Sequence, residues 1–336
     1  MVVDDFLRTL VAARALKTAF ELGVIDYLVE HRASSAASLG AALAMDAQGT
    51  EFLLDLLRSN HVVAIRNDEY VLHEKFELAM RYRDLLEVKL DFAGSVLNDF
   101  ADLFTALIGD PARFAGTARL FQLFDYRRAL EPTMENYQRT RGWMRLTSTL
   151  TRYEALACMS LHDFGTHRRM LDIGGNSGEF AIQLCRRHPH LRATVLDLPL
   201  VCEIGMEHVL PEPEHPHIRF IKADIRTDAV PAGYDLITFK SMLHDWPPDE
   251  ARRFVRKAAE ALSPGGTLLI FERGPVHAEG RELPFSLLPI LLFFRSYRTP
   301  ADYVGQLEAL GFENIVHKEV VLDTSFFLVA ARKPEG

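Results

Sequence analysis

Short apolar runs alternate with amphipathic stretches from residue 168 onward, and no other feature restricts the fold as much. Residues 170–173, 193–196, 218–223, 234–239 and 267–271 read as strands, each brief, apolar and followed by a turn or an acid. Residues 179–187, the stretch near 201–209 and residues 249–262 read as helices. The last has apolar side chains at 251, 254, 255, 258 and 262, one face of a helix. Ser263-Pro264-Gly265-Gly266 is expected to stop it. A helix over 300–310 follows, then strands over 316–321 and 326–331 as a closing antiparallel pair. This alternation specifies an α/β fold, a Rossmann-like doubly wound sheet.

The segment before it has a different grain. Residues 6–22, 35–44 and 49–60 carry apolar side chains at helical spacing. Residues 61–65 and 70–72 then flank Asn67-Asp68, a hairpin signal. Helices followed by a hairpin give a winged-helix pattern over residues 1–80. Residues 83–161 read as wholly helical, broken at Gly109-Asp110-Pro111. Three segments are therefore expected: a winged helix (1–80), a helical region (81–165) and the α/β region (166–336).

A winged helix raises the possibility of a DNA-binding regulator. The formal net charge of -8 works against a nucleic-acid partner. Residues 49–58, the recognition-helix position, hold Glu51 and Asp55 against a single Arg58. Cys158, Cys185 and Cys202 form no CxxC pair and no zinc-like spacing, so no metal is expected and a reducing compartment is. The start of the chain lacks a basic signal-peptide region, and the apolar run 283–294 is shorter than the ~20 residues of a membrane span. A cytoplasmic protein without a membrane span is the expectation.

Open α/β sheets take ligands at the carboxyl ends of their strands. Here the first strand ends in Asp172-x-Gly174-Gly175-x-x-Gly178. A dinucleotide would seat its pyrophosphate on GxGxxG, which is not this spacing. The leading acid suits a cationic amino-acid group, and S-adenosylmethionine carries one. Asp197 ends the next strand, where a carboxylate can accept ribose hydroxyls; nicotinamide enzymes use the same device. Asp224 ends the third, where an acid can bond an adenine amine. The competing reading of each acid is a helix N-cap.

The motifs Leu171-Asp172-Ile173-Gly174-Gly175, Val195-Leu196-Asp197-Leu198-Pro199, Ala223-Asp224-Ile225, Phe239-Lys240-Ser241-Met242-Leu243-His244-Asp245-Trp246 and Leu262-Ser263-Pro264-Gly265-Gly266 resemble those of the class I small-molecule O-methyltransferases. The caffeic-acid, hydroxyneurosporene and acetylserotonin enzymes are of this type. The resemblance implies a class I methyltransferase sheet behind a winged-helix dimerisation domain, hence a homodimer, with S-adenosylmethionine as cofactor and a small-molecule acceptor. By position it gives Asp172, Gly174 and Gly175 to the cofactor's amino-acid moiety, Asp197 and Leu198 to the ribose, and Asp224, Ile225 and Lys240 to the adenine. His244 matches the family's general base and Glu272 one of two acids that orient it. Tyr297 stands near where plant members have the second acid, and Asn176-Ser177 replaces glycines common in the first loop.

A phenol titrates near ~10 and an imidazole near ~6.5, so a histidine can remove the acceptor proton as attack proceeds. His244 and Glu272 both fall at the ends of strands, on the sheet edge where that is needed. His162, His188 and His190 are given no role. The run 283–294 is either ordinary core or one wall of an acceptor pocket with Phe124, Tyr126 and Trp143; the second reading implies a flat, apolar, aromatic or polyketide-like acceptor. C-methylation, or catalysis without methyl transfer, on the same scaffold remains open.

Overall fold

Side-chain caps set the helix starts in the N-terminal part of the computed structural model, which describes residues 2–123, 125–277 and 283–335. Thr9 accepts a hydrogen bond from the Ala12 N–H and starts α1 (Leu10–Glu21) after a 3-10 turn, so the first helix begins later than expected. Gly23, at φ +77°, starts α2 (Val24–His31), a helix absent from the sequence reading. Ser35 caps α3 (Ala36–Ala42) and Asp46 caps α4 (Ala47–Ser59). Strands β1 (Val63–Arg66) and β2 (Glu69–Leu72) pair antiparallel. Asn67 and Asp68, at φ 53° and 59°, supply the two left-handed residues of a tight hairpin turn. α5 (Glu74–Ala79) and the long α6 (Arg83–Gly109) follow.

After α7 (Pro111–Thr117) and α8 (Leu120–Leu123), the chain leaves helix in a second interruption that the sequence reading missed. It includes a 3-10 turn, Tyr126–Leu130, and ends where Thr133 caps α9 (Met134–Leu161). Phe124 lies outside the described residues. The α/β alternation then runs β3 (Arg169–Ile173), α10 (Glu179–Arg187), β4 (Arg192–Asp197), α11 (Pro199–Val209), β5 (Ile218–Lys222), β6 (Tyr234–Lys240), α12 (Pro248–Ala261) and β7 (Leu262–Arg273). α13 (Leu288–Leu292), α14 (Pro300–Ala309), β8 (Glu313–Val321) and β9 (Ser325–Arg332) complete it.

The larger sheet has the order β5-β4-β3-β6-β7-β9-β8. The pairs from β5 to β7 are parallel, and β9 is antiparallel to both β7 and β8. This is the Rossmann-like sheet with a closing antiparallel pair. The chain reverses its winding between β3 and β6, so a crevice opens beyond their carboxyl ends. Alternate residues feed two cores: Leu268, Ile270, Phe327 and Val329 on one face, Leu269, Phe271, Phe326 and Leu328 on the other. Burial on both faces is why these strands read as unbroken apolar runs.

β7 begins earlier than expected. Ser263-Pro264-Gly265-Gly266 does not separate α12 from the strand but lies within it as an irregularity between the pairs Tyr234/Leu262 and Leu236/Thr267. Gly265, at φ +71°, donates to the Lys333 carbonyl, and the Lys333 N–H bonds Gly266. Asp224 does not end a strand, because β5 stops at Lys222.

Two compact units result, and residues 283–292 belong to the first, with residues 2–114. There the 3-10 turn Phe285–Leu287 and α13 pack on α6. Phe285 and Ser286 donate backbone hydrogen bonds to Arg8 and Leu7, and Leu287, Leu288 and Leu292 are buried. Residues 283–292 of the apolar run thus pack within the first unit, while Phe293 and Phe294 fall in the second.

Candidate active site

β3 delivers Asp172 almost wholly buried. Its Oδ1 accepts the Thr238 hydroxyl at 2.7 Å, and its Oδ2 has no hydrogen-bond partner among the described residues. Burial pushes this carboxyl up to about 7. The glycines beside it are sterically required. A Cβ on Gly174, at φ +70°, would stand 2.5 Å from Met242 Cγ, and one on Gly175 2.5 Å from Asp172 Oδ2. Asp197, at the end of β4, accepts the Asn176 N–H (2.8 Å) on one oxygen and the Leu198 N–H (2.7 Å) on the other. Burial pushes Asp197 to about 6 despite those two donors.

α9 rests on the same loop. Ser148 donates to Ser177 Oγ at 2.7 Å, and Thr147 to Asn176 Oδ1 at 3.3 Å. Neither was singled out in the sequence, where a polar residue inside a helix reads as solvent-facing. Lys240, ending β6, is also held by α9, through an ion pair with Glu154 and a 3.1 Å bond to Thr151. Leu198 is buried with Met144, Val201 and Ile204, and Ile225 with Ile173 and Leu196. Asp224 is engaged by its neighbour: the Arg226 guanidinium bonds both its oxygens and, against burial, holds the carboxyl below its usual value. The expected adenine contact is therefore occupied by Arg226, which also lies over the Trp246 ring.

His244 sits in a 3-10 turn, Leu243–Asp245, just past β6, with its side chain 16% exposed. Glu272, on β7, is buried below it. Oε1 of Glu272 accepts the Met242 (2.9 Å) and Leu243 (2.7 Å) N–H groups, and Oε2 accepts His244 Nδ1–H at 2.6 Å. Burial opposes charge on the imidazole, but Glu272 and Asp245 outweigh it and hold His244 above its usual value. Burial also opposes charge on Glu272, and His244 together with the two N–H donors keeps that carboxyl below its usual value. Arg298 pins the turn by donating to the Leu243 carbonyl at 2.7 Å and to that of Trp246.

The second carboxylate beside the imidazole is Asp245, whose Oδ1 lies 3.4 Å from His244 Nε2. Tyr297 contributes a ring 5.2 Å from that of His244. Tyr126 reaches in from the interruption before α9 and donates its hydroxyl to Asp245 Oδ2 at 2.6 Å. Asp245 lay inside the quoted motif without a role. The pairing with Tyr126 spans 119 residues and leaves no trace in local pattern.

The model of the O-methyltransferase domain matches residues 109–313, more than half of the chain. The chain belongs to the O-methyltransferase family. Residues 5–81 match that family's dimerisation domain. The chain is 38% identical over 138 residues to 3-hydroxy-5-methyl-1-naphthoate 3-O-methyltransferase of Streptomyces sahachiroi, 39% of each chain. It is 26% identical over 302 residues to L-tyrosine C(3)-methyltransferase of Streptomyces lavendulae, 83% of this chain and 78% of that one. It spans 39%, 52% and 51% of the length of three curated relatives, the naphthoate enzyme among them. Human N-acetylserotonin methyltransferase, solved with S-adenosylmethionine, shares the fold: TM-score 0.73, 23% identity, covering 96% of this chain and 94% of that one. No helix among the described residues is long and apolar enough to cross a membrane.

Proposed function

We propose that this member of the O-methyltransferase family uses S-adenosylmethionine to methylate a hydroxyl on a flat, apolar, aromatic or polyketide-like small molecule, with His244 as the general base. One observation carries the reading: Nδ1 of His244 is bonded to a buried Glu272 that is itself fixed by two backbone N–H groups. That arrangement sets the tautomer, leaves Nε2 as the basic atom and offsets the charge that develops when Nε2 takes a proton. Met242, two residues earlier, lies against Gly174 and so joins this turn to the glycine loop.

The residues present fit the cofactor. The unpartnered Oδ2 of Asp172 is a buried acceptor facing glycines that tolerate no side chain, as a cationic amino group requires. Asp172, Gly174 and Gly175 would hold the amino-acid moiety, Asp197 and Leu198 the ribose. Ile225, Lys240 and Asp224 would frame the adenine, Asp224 once Arg226 yields it. When bound, S-adenosylmethionine supplies an activated methyl carbon; the chain supplies position and a deprotonated acceptor. Residues 1–80 would pair two copies, 81–165 line the acceptor and 166–336 hold cofactor and base. The naphthoate relative supports the acceptor class.

A phenolate is nucleophilic at its ortho carbon as well as at oxygen, and the tyrosine C(3)-methyltransferase relative keeps that second outcome in view. Fragmentation of the methylated product separates O-CH3 from C-CH3. His244→Ala is expected to lower kcat by ~10²–10⁴ with cofactor affinity kept. Unchanged turnover would overturn the role of His244.

A further inference from the structure

We infer that Tyr126 is a positioning residue: by holding Asp245 it keeps that carboxylate off Nε2 of His244, so that an acceptor hydroxyl can reach the nitrogen. The inference deepens the function proposed above and rests on His244 being the base.

Its ground is an unequal pair of contacts on one carboxylate. Oδ2 of Asp245 takes the Tyr126 hydroxyl at 2.6 Å, a full-strength bond, while Oδ1 stands 3.4 Å from His244 Nε2. When Nε2 carries a proton, an unrestrained carboxylate closes on it to ~2.7–2.9 Å as a charged N–H···O bond. Here the carboxylate is restrained by a phenol that is itself wedged. The Tyr126 ring stacks on Trp246 (5.7 Å, 22° between planes) and meets Trp143 edge-on (5.9 Å). It also packs on the cluster of Leu198, Val201 and Ile204. Tyr126 thus tethers Asp245 to a wall built partly outside the His244 turn, from Trp143 and the cluster on α11.

Among the described residues, the other charged and titratable groups around the imidazole are these. Glu272 and Arg273 face it from β7, the first attracting and the second repelling its positive form. Tyr297 faces it from the segment before α14 as a neutral ring, its phenol raised by burial. Arg298 is spent on backbone carbonyls. Asp245 is the carboxylate facing Nε2, and Tyr126 holds its other oxygen. Without the Tyr126 hydroxyl, Asp245 closes on Nε2, the imidazolium is favoured, and the nitrogen is covered. Without the Asp245 charge, the imidazole is released instead.

The two changes therefore have opposite signs, which a merely structural role would not produce. The imidazole is titrated by NMR in histidine-labelled full-length protein without acceptor, its resonance assigned by its loss in His244→Gln. The midpoint is expected to rise in Tyr126→Phe, fall in Asp245→Asn, and follow Asp245→Asn in the double variant. The acid limb of kcat/KM should move the same way, at about tenfold per pH unit of displacement. Because Tyr126 packs on Leu198, which is assigned to the cofactor, thermal unfolding rather than cofactor affinity serves as the folding control. An unmoved or falling midpoint in correctly folded Tyr126→Phe overturns the inference. Full turnover in His244→Gln overturns the base reading itself, and the catalytic half of this one with it, whatever the titration shows.

Discussion

Asp172 is a carboxylic acid that the fold will not let ionise freely. Its ordinary value is near 3.8 and burial raises it to about 7, so the group favours folding most below 3.8 and loses that contribution as pH rises toward 7. A cationic ligand reverses the balance, because it supplies the partner that Oδ2 lacks. S-adenosylmethionine affinity is thus expected to weaken as pH falls below about 7 and to reach a plateau above it, measured by calorimetry across pH 5.5–8.5. Asp172→Asn should bind at least tenfold more weakly with no such slope. It should also make the free protein more heat-stable at pH 8, on the order of a kcal/mol or more, by removing an uncompensated charge. A sloping profile in the Asn variant would show that another group is responsible. At this scale the sequence was informative about strand-end acids, since an acid after an apolar run is conspicuous. It was silent on Arg226, which takes up Asp224 from two residues away, and on Tyr126, whose relation to Asp245 exists only in three dimensions.

Elements carry the site through close approach. The glycine loop is pressed between Met242, from the His244 turn, and α9, through Ser148 and Thr147. Gly174→Ala therefore places a methyl group both at φ +70° and against Met242. Such a change should cost about 1–3 kcal/mol in the free protein and abolish high-affinity cofactor binding. Equal cofactor affinity, with an unchanged melting temperature, would mean that the loop yields easily. The inner strands β3, β4, β6, β7 and β9 were legible because burial on both faces makes them largely apolar, unlike the edge strands β5 and β8. The hairpin was legible because Asn67-Asp68 suits left-handed backbone. Ser263-Pro264-Gly265-Gly266 misled for a physical reason. Proline and glycine usually end an element, but Lys333 bonds the glycine backbone on both sides and carries the irregularity into β7. The break before α9 does carry a local signal that the helical reading passed over: Pro132 biases Glu131 away from helix, and Thr133 caps the helix that follows.

For the whole molecule, the arrangement of units bears on assembly. Residues 5–81 match a dimerisation domain, and sedimentation equilibrium should give twice the chain mass. Leu288→Ala and Leu292→Ala lie far along the chain from that domain, yet they should each destabilise the unit that contains it. Each removes a buried leucine beside α6, a loss of about 2–5 kcal/mol, read from hydrogen exchange in α6. The return of residues 283–292 to the first unit also sets an order of events during synthesis. The helices 10–109 leave the ribosome first but wait for their last packing segment until β3 through β7 have followed. Nascent chains stalled before residue 283 emerges should leave α6 open to protease, and chains stalled beyond residue 292 should protect it. The part of the chain made first is then among the last to be finished.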